Sequence, residues 1–90
     1  MSAEKIRKEQ RVFDDMLIAA VELMSIKEIK GALENASYEA VCEAHDKATF
    51  DYCFNQALFE DTDEPSYLQT VEKAKEICDI LWSKMNEFLE

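Results

Sequence analysis

The chain reads as an all-α protein, a small three- or four-helix bundle. Three observations carry that reading. Apolar residues recur at spacings of three and four along most of the sequence, the period of a helix face. A single Gly and a single Pro leave too few turn residues for a sheet, and no Asn-Gly or Asp-Gly pair marks a hairpin. A 48% apolar content is too high for a disordered chain, even one so charged. The 90 residues make one domain, 1–90. A chain this short buries only about 60% of its unfolded surface, so its stability margin is narrow.

The first helix is expected over 3–24, with Ser2 as its cap. Ile6, Phe13, Leu17, Ala20 and Met24 share one face, and Val12, Met16, Ala19 and Leu23 widen it. Between Met16 and Met24 only Glu22 is charged, so this segment is expected to be the most buried or to be shared with another subunit. Ser25-Ile26-Lys27-Glu28 has the form of a capping box, which predicts a break at Ser25 and a short second helix edged by Ile26, Ile29 and Leu33. Gly31 either weakens that helix or ends it.

Ser37 is the expected cap of a third helix over 38–59, with Tyr38, Val41, His45, Ala48, Tyr52 and Phe59 on its inner face. Asp46 offers an alternative cap within it. Phe50, Phe54 and Phe59 cannot all share that face, so some apolar surface of this helix is expected to be exposed or paired. Residues 60–65 read as the one clear loop, and Pro65 suits the first turn of a last helix over 66–89. That helix carries a heptad seam: Tyr67, Val71, Ala74, Cys78, Leu81, Met85 and Phe88. Such a seam serves either an antiparallel contact within the bundle or a dimer.

The charge is distributed unevenly. The formal total is −10, yet the first eleven residues carry Lys5, Arg7, Lys8 and Arg11 against Glu4 and Glu9. Between residues 12 and 66 the only cations are Lys27, Lys30 and Lys47. Such a field repels nucleic acid and anionic membrane, and it attracts basic protein surfaces. No run approaches the roughly 18 apolar residues of a membrane span, and no secretory signal is visible. The odd set Cys42, Cys53 and Cys78 forms no disulfide framework, so a reducing cytoplasm is the expected setting.

Chemistry-bearing patterns are sparse. Cys42, His45 and Asp46 lie within reach of one another on a helix face, but a metal needs further ligands, and Cys53 lies about 16 Å further along the axis. A Cys and His on one turn leave little room for a substrate. One Gly rules out a phosphate-cradling loop, and the acidic 60–64 stretch lacks the alternating ligands and central Gly of a calcium loop. The expectation is a non-enzymatic protein without cofactor or metal.

Glu39, Glu43 and Asp46 form an acidic stripe with one charge per about 5 Å of helix axis. Duplex DNA carries one per about 1.7 Å, so only several aligned helices, or a homodimer, could approach its density. With Val12-Phe13-Asp14 early on, Ala40, Glu43, Asp46, Ala48 and Tyr52 in the third helix, and Leu81-Trp82 in the last, the chain resembles the bacteriophage Ocr-type anti-restriction proteins, which are acidic all-helical dimers that imitate DNA. It departs from them in being shorter, in its basic start and in lacking a heavily acidic tail. The resemblance implies occupation of the DNA groove of a host enzyme. Asp14, Asp15, Glu39, Glu43, Asp46, Asp51, Asp61, Asp63 and Glu64 would substitute for phosphates. The expected function is therefore an acidic protein-binding module, an inhibitor or adaptor of a nucleic-acid-binding protein. The alternative is an assembly protein that dimerises through its heptad helix.

Overall fold

Four helices form, each where a cap or a turn allows it. The computed structural model describes residues 3–90, and side chains from Arg7 onward. The expected Ser2 cap and the Ile6 side chain lie outside the described residues. Helix α1 spans Ala3–Glu22, α2 Ile26–Leu33, α3 Tyr38–Thr62 and α4 Pro65–Leu89. No strand occurs among the described residues.

α1 stops two residues before the expected end. Met24 takes a left-handed conformation at φ 54°. Its N–H donates to the Val21 carbonyl at 3.0 Å, and the Ser25 N–H donates to the Ala20 carbonyl at 3.1 Å. This is the Schellman closure that a Gly normally supplies. Ser25 then caps α2 by accepting from the Glu28 N–H at 3.4 Å. Only half of the capping box forms, because the Ser25 N–H is already bound to Ala20. Gly31 does not end α2, which continues to Leu33.

Ser37 caps α3 by accepting from the Ala40 N–H at 3.2 Å. α3 then runs unbroken for 25 residues, through Asp46 and past the expected end at Phe59. The expected loop shrinks to Asp63 and Glu64. Thr62 makes the extension workable: its hydroxyl donates back to the Leu58 carbonyl at 2.7 Å and accepts from the Glu64 N–H at 3.3 Å. Asp63, left-handed at φ 58°, seals the end through its N–H to the Phe59 carbonyl. Pro65 opens α4, where a missing N–H costs nothing.

The core lies at one end of the molecule. Leu17 and Val21 of α1, Ile29 and Leu33 of α2, Val41, Ala44 and Ala48 of α3, and Ile77 and Leu81 of α4 are buried together. α3 and α4 form an antiparallel hairpin with the most extensive contact in the fold, and α1 and α2 cover only the half that holds the core. The rest of the hairpin projects as a two-helix arm, giving an elongated particle of 55 × 26 × 18 Å. The heptad seam of α4 faces α3 within the same chain. Leu81 and Ala74 are buried, Tyr67, Val71, Cys78 and Met85 are half-buried, and Phe88 meets the Tyr38 ring edge-on at 5.5 Å.

One burial expected within the chain does not occur, and one expected exposure does. Val12, Met16, Ala19 and Leu23 lie on the outer side of α1, with Leu23 72% exposed. α2 and α3 cover only the Leu17–Val21 side, so the apolar segment is buried on one face and bare on the other. On the arm, Phe50 and Phe54 are 66% and 54% exposed, the outcome expected from their mismatch with the inner face of α3.

Candidate functional site: an acidic groove between two helices

An open groove of about 410 Å³ runs between α1 and the first turns of α3. α1 contributes Arg11, Asp15 and Glu22, which recur on one side of the helix, and α3 contributes Glu39 and Glu43 one turn apart. Ile18, Ala19 and Ala40 are the apolar part of the lining. With Asp14, five carboxylates thus line a shared cleft with a single guanidinium. Among the described residues none of the five is in an ion pair. Among the described residues the ion pairs are Lys47–Asp51 at 3.8 Å and Lys84–Glu87 at 3.2 Å. Both lie on the surface, where such pairs contribute little.

Asp14 lines the groove as well, but its carboxylate is engaged in hydrogen bonds. Its Oδ1 accepts from the Ser37 N–H at 2.9 Å and from Gln10 Nε2 at 3.0 Å, and its Oδ2 accepts from the Ser37 hydroxyl at 2.8 Å. Gln10 also donates to the Asn35 carbonyl at 2.8 Å. These bonds pin α1 to the α2–α3 junction and hold the groove walls at their spacing. Burial works against the charged form of Asp14. The hydrogen bonds from the Ser37 backbone, Gln10 and the Ser37 hydroxyl outweigh it and hold the carboxyl below the ordinary aspartate value.

The nine acids named from sequence therefore separate. Asp15, Glu39 and Glu43 meet in the groove, and Asp14 braces it. Asp46 continues the same side of α3. Asp51 is half-buried and paired with Lys47. Asp61, Asp63 and Glu64 stand at the tip of the arm, with Asp61 about 27 Å from Glu43 along the helix axis. Sequence reasoning missed Glu22, which completes the α1 wall. Its spacing of seven from Asp15 carried that information, two helical turns along one face.

The Cys42–His45–Asp46 set draws in no further ligand. Among the described residues no three metal-binding side chains converge. The His45 ring packs on Trp82 of α4 at 5.7 Å. Cys78 lies 3.8 Å from the Thr49 hydroxyl, and burial pushes its thiol pKa up. The three cysteines are free thiols. No helix among the described residues is long and apolar enough to cross a membrane. No protein-family model, curated protein or solved structure matches this chain.

Proposed function

We propose that this chain is a non-enzymatic, cytoplasmic, acidic helical module that captures a basic surface of another protein. Its role would be that of an inhibitor or adaptor of a nucleic-acid-binding protein, in the style of phage or mobile-element proteins. The carrying observation is the α1–α3 groove, whose described lining holds Asp14, Asp15, Glu22, Glu39 and Glu43 with Arg11 as its one cation. Like charges held in a cleft raise the local concentration of oppositely charged groups and speed their association. A Lys or Arg entering the cleft meets carboxylates on both walls, a geometry that a single acidic stripe lacks.

DNA mimicry is the sharpest form of this proposal, and the dimensions restrict it. A duplex carries about 32 phosphates over 55 Å, so a net charge of −10 matches about a third of them. The imitation is local, confined to the groove and the arm tip. The assembly alternative has less support, because the α4 seam it relies on packs against α3.

The test is competition. A basic DNA-cleaving enzyme, such as a host restriction enzyme, is assayed on duplex substrate with rising amounts of this protein. Inhibition that duplex DNA relieves, that weakens as salt rises, and that is lost in the Asp15→Asn/Glu39→Gln/Glu43→Gln variant supports the proposal. Equal inhibition by that variant contradicts it.

A further inference from the structure

α3 shows one continuous outward face. Glu39, Glu43, Asp46, Phe50, Phe54, Ala57 and Asp61 follow one another at spacings of 4, 3, 4, 4, 3 and 4, and every one of them is exposed. They lie opposite Val41, Ala44 and Ala48, which are buried against the other helices. The face is about 33 Å long, and its chemistry changes along its length. The first end is the α3 wall of the acidic groove. The middle is apolar: the Phe50 and Phe54 rings stack side by side, with centroids 5.9 Å apart and planes within 10°. Exposed Cys53 and Ala57 adjoin them. At about 200 Å² per aromatic side chain, the two rings leave about 240 Å² of apolar surface in water. No described residue covers it, because α1 and α2 pack on the other half of the hairpin.

We infer that this face is the docking track for an amphipathic helix of the partner, with basic residues at one end and apolar residues at the other. The inference rests on the groove reading given above and extends it along α3. Apolar side chains spaced by four and three pack on Phe50, Phe54 and Ala57, as an amphipathic helix lays its anchors on a complementary surface. Lys or Arg side chains two to three turns away on the same stripe enter between Asp15, Glu22, Glu39 and Glu43. Charge selects this occupant over a second copy of the chain. In an antiparallel pair of copies, Glu43 and Asp46 of one meet Asp61 of the other. A parallel pair sets each carboxylate against its own counterpart. A basic helix meets no such repulsion.

The experiment uses a labelled synthetic peptide of about 22 residues, the length of the track. Its helical stripe carries Leu in one half and Arg in the other. A short oligoarginine serves as the groove probe. Binding is measured by fluorescence anisotropy from about 0.05 to 0.5 M salt, with wild type, Phe50→Ser/Phe54→Ser and Glu39→Gln/Glu43→Gln proteins. All the replaced side chains are exposed, and circular dichroism checks that the variants fold. The expected result is that the Phe variant binds the long peptide about tenfold or more weakly yet binds oligoarginine as wild type does, while the Glu variant loses affinity for both. Equal binding of the long peptide by wild type and the Phe variant overturns the track and leaves the groove reading standing. Failure of oligoarginine to bind wild type overturns the groove reading and the track with it. Sedimentation showing a wild-type dimer that the Phe variant cannot form assigns the face to a second copy and also overturns the inference.

Discussion

Replacing Asp14 with Ala tests how the groove is held open. Asp14 accepts three hydrogen bonds, two from Ser37 and one from Gln10. Hydrogen bonds to a charged acceptor contribute about 1.5–3 kcal/mol each when desolvated. Asp14 is only half-buried, so solvent screens part of that and water replaces some lost partners. Discounted in this way, the three bonds give a loss of about 2 kcal/mol, or about 8–16 °C in melting temperature for a domain of this size. Asp14→Asn keeps one acceptor for the Ser37 N–H and should lose about half as much. The sign of the pH dependence follows from the lowered pKa of the folded-state carboxyl. Its contribution is complete above the unfolded value near pH 4 and disappears as the pH falls through the folded value. Urea denaturation from pH 7 down into the acid range below about pH 4 therefore gives a wild-type-to-variant difference that is largest at neutral pH and shrinks as the pH falls. A difference at pH 7 below about 0.3 kcal/mol, or one that grows in acid, would refute the bracing role.

Three further substitutions have signs fixed by local geometry. Gly31→Ala should stabilise by about 1 kcal/mol in thermal melts, because Gly31 lies inside α2 and a Cβ there meets no atom within 4 Å; destabilisation would mean that the helix or its surroundings differ. Asp63→Gly should raise stability by about 0.5–1 kcal/mol in urea, since only a residue without Cβ adopts the φ of 58° freely; an unchanged or lower value would show that the αL closure of α3 is not formed. Leu81→Ala should cost about 3 kcal/mol at every protein concentration, because Leu81 is fully buried within one chain. A melting point that depended on concentration would instead place the seam between copies.

Much of the fold was readable in the sequence because its signals are local. Ser25 and Ser37 are caps, Pro65 opens a helix, and the heptad of α4 marks a buried stripe; each of these is set by residues within a turn or two. The misreadings came from information that is not local. The acids of 60–65 looked like a loop, but Thr62 and Asp63 supply the terminal bonds that let α3 continue through them. Met16 and Leu23 read as buried or shared with another subunit, and they are exposed in the single chain, because an apolar segment shows how much could be covered, not which neighbours are present to cover it. Asp14 looked like one more surface acid, and its partner Ser37 is 23 residues away. The groove was half legible: the Glu39–Glu43 wall follows from spacing, but that α1 would present Asp15 and Glu22 to it depends on how the helices pack.

The central claim is that the α1–α3 cleft, by its charge, takes up a basic protein surface. The most direct measurement is a two-dimensional amide NMR titration of this chain with a basic nucleic-acid-binding protein or its cationic segment, at low and at high salt. Shifts centred on Asp15, Glu22, Glu39 and Glu43 at low salt, disappearing as salt rises, are the predicted result. Shifts centred elsewhere, or a pattern that does not change with salt, would contradict it.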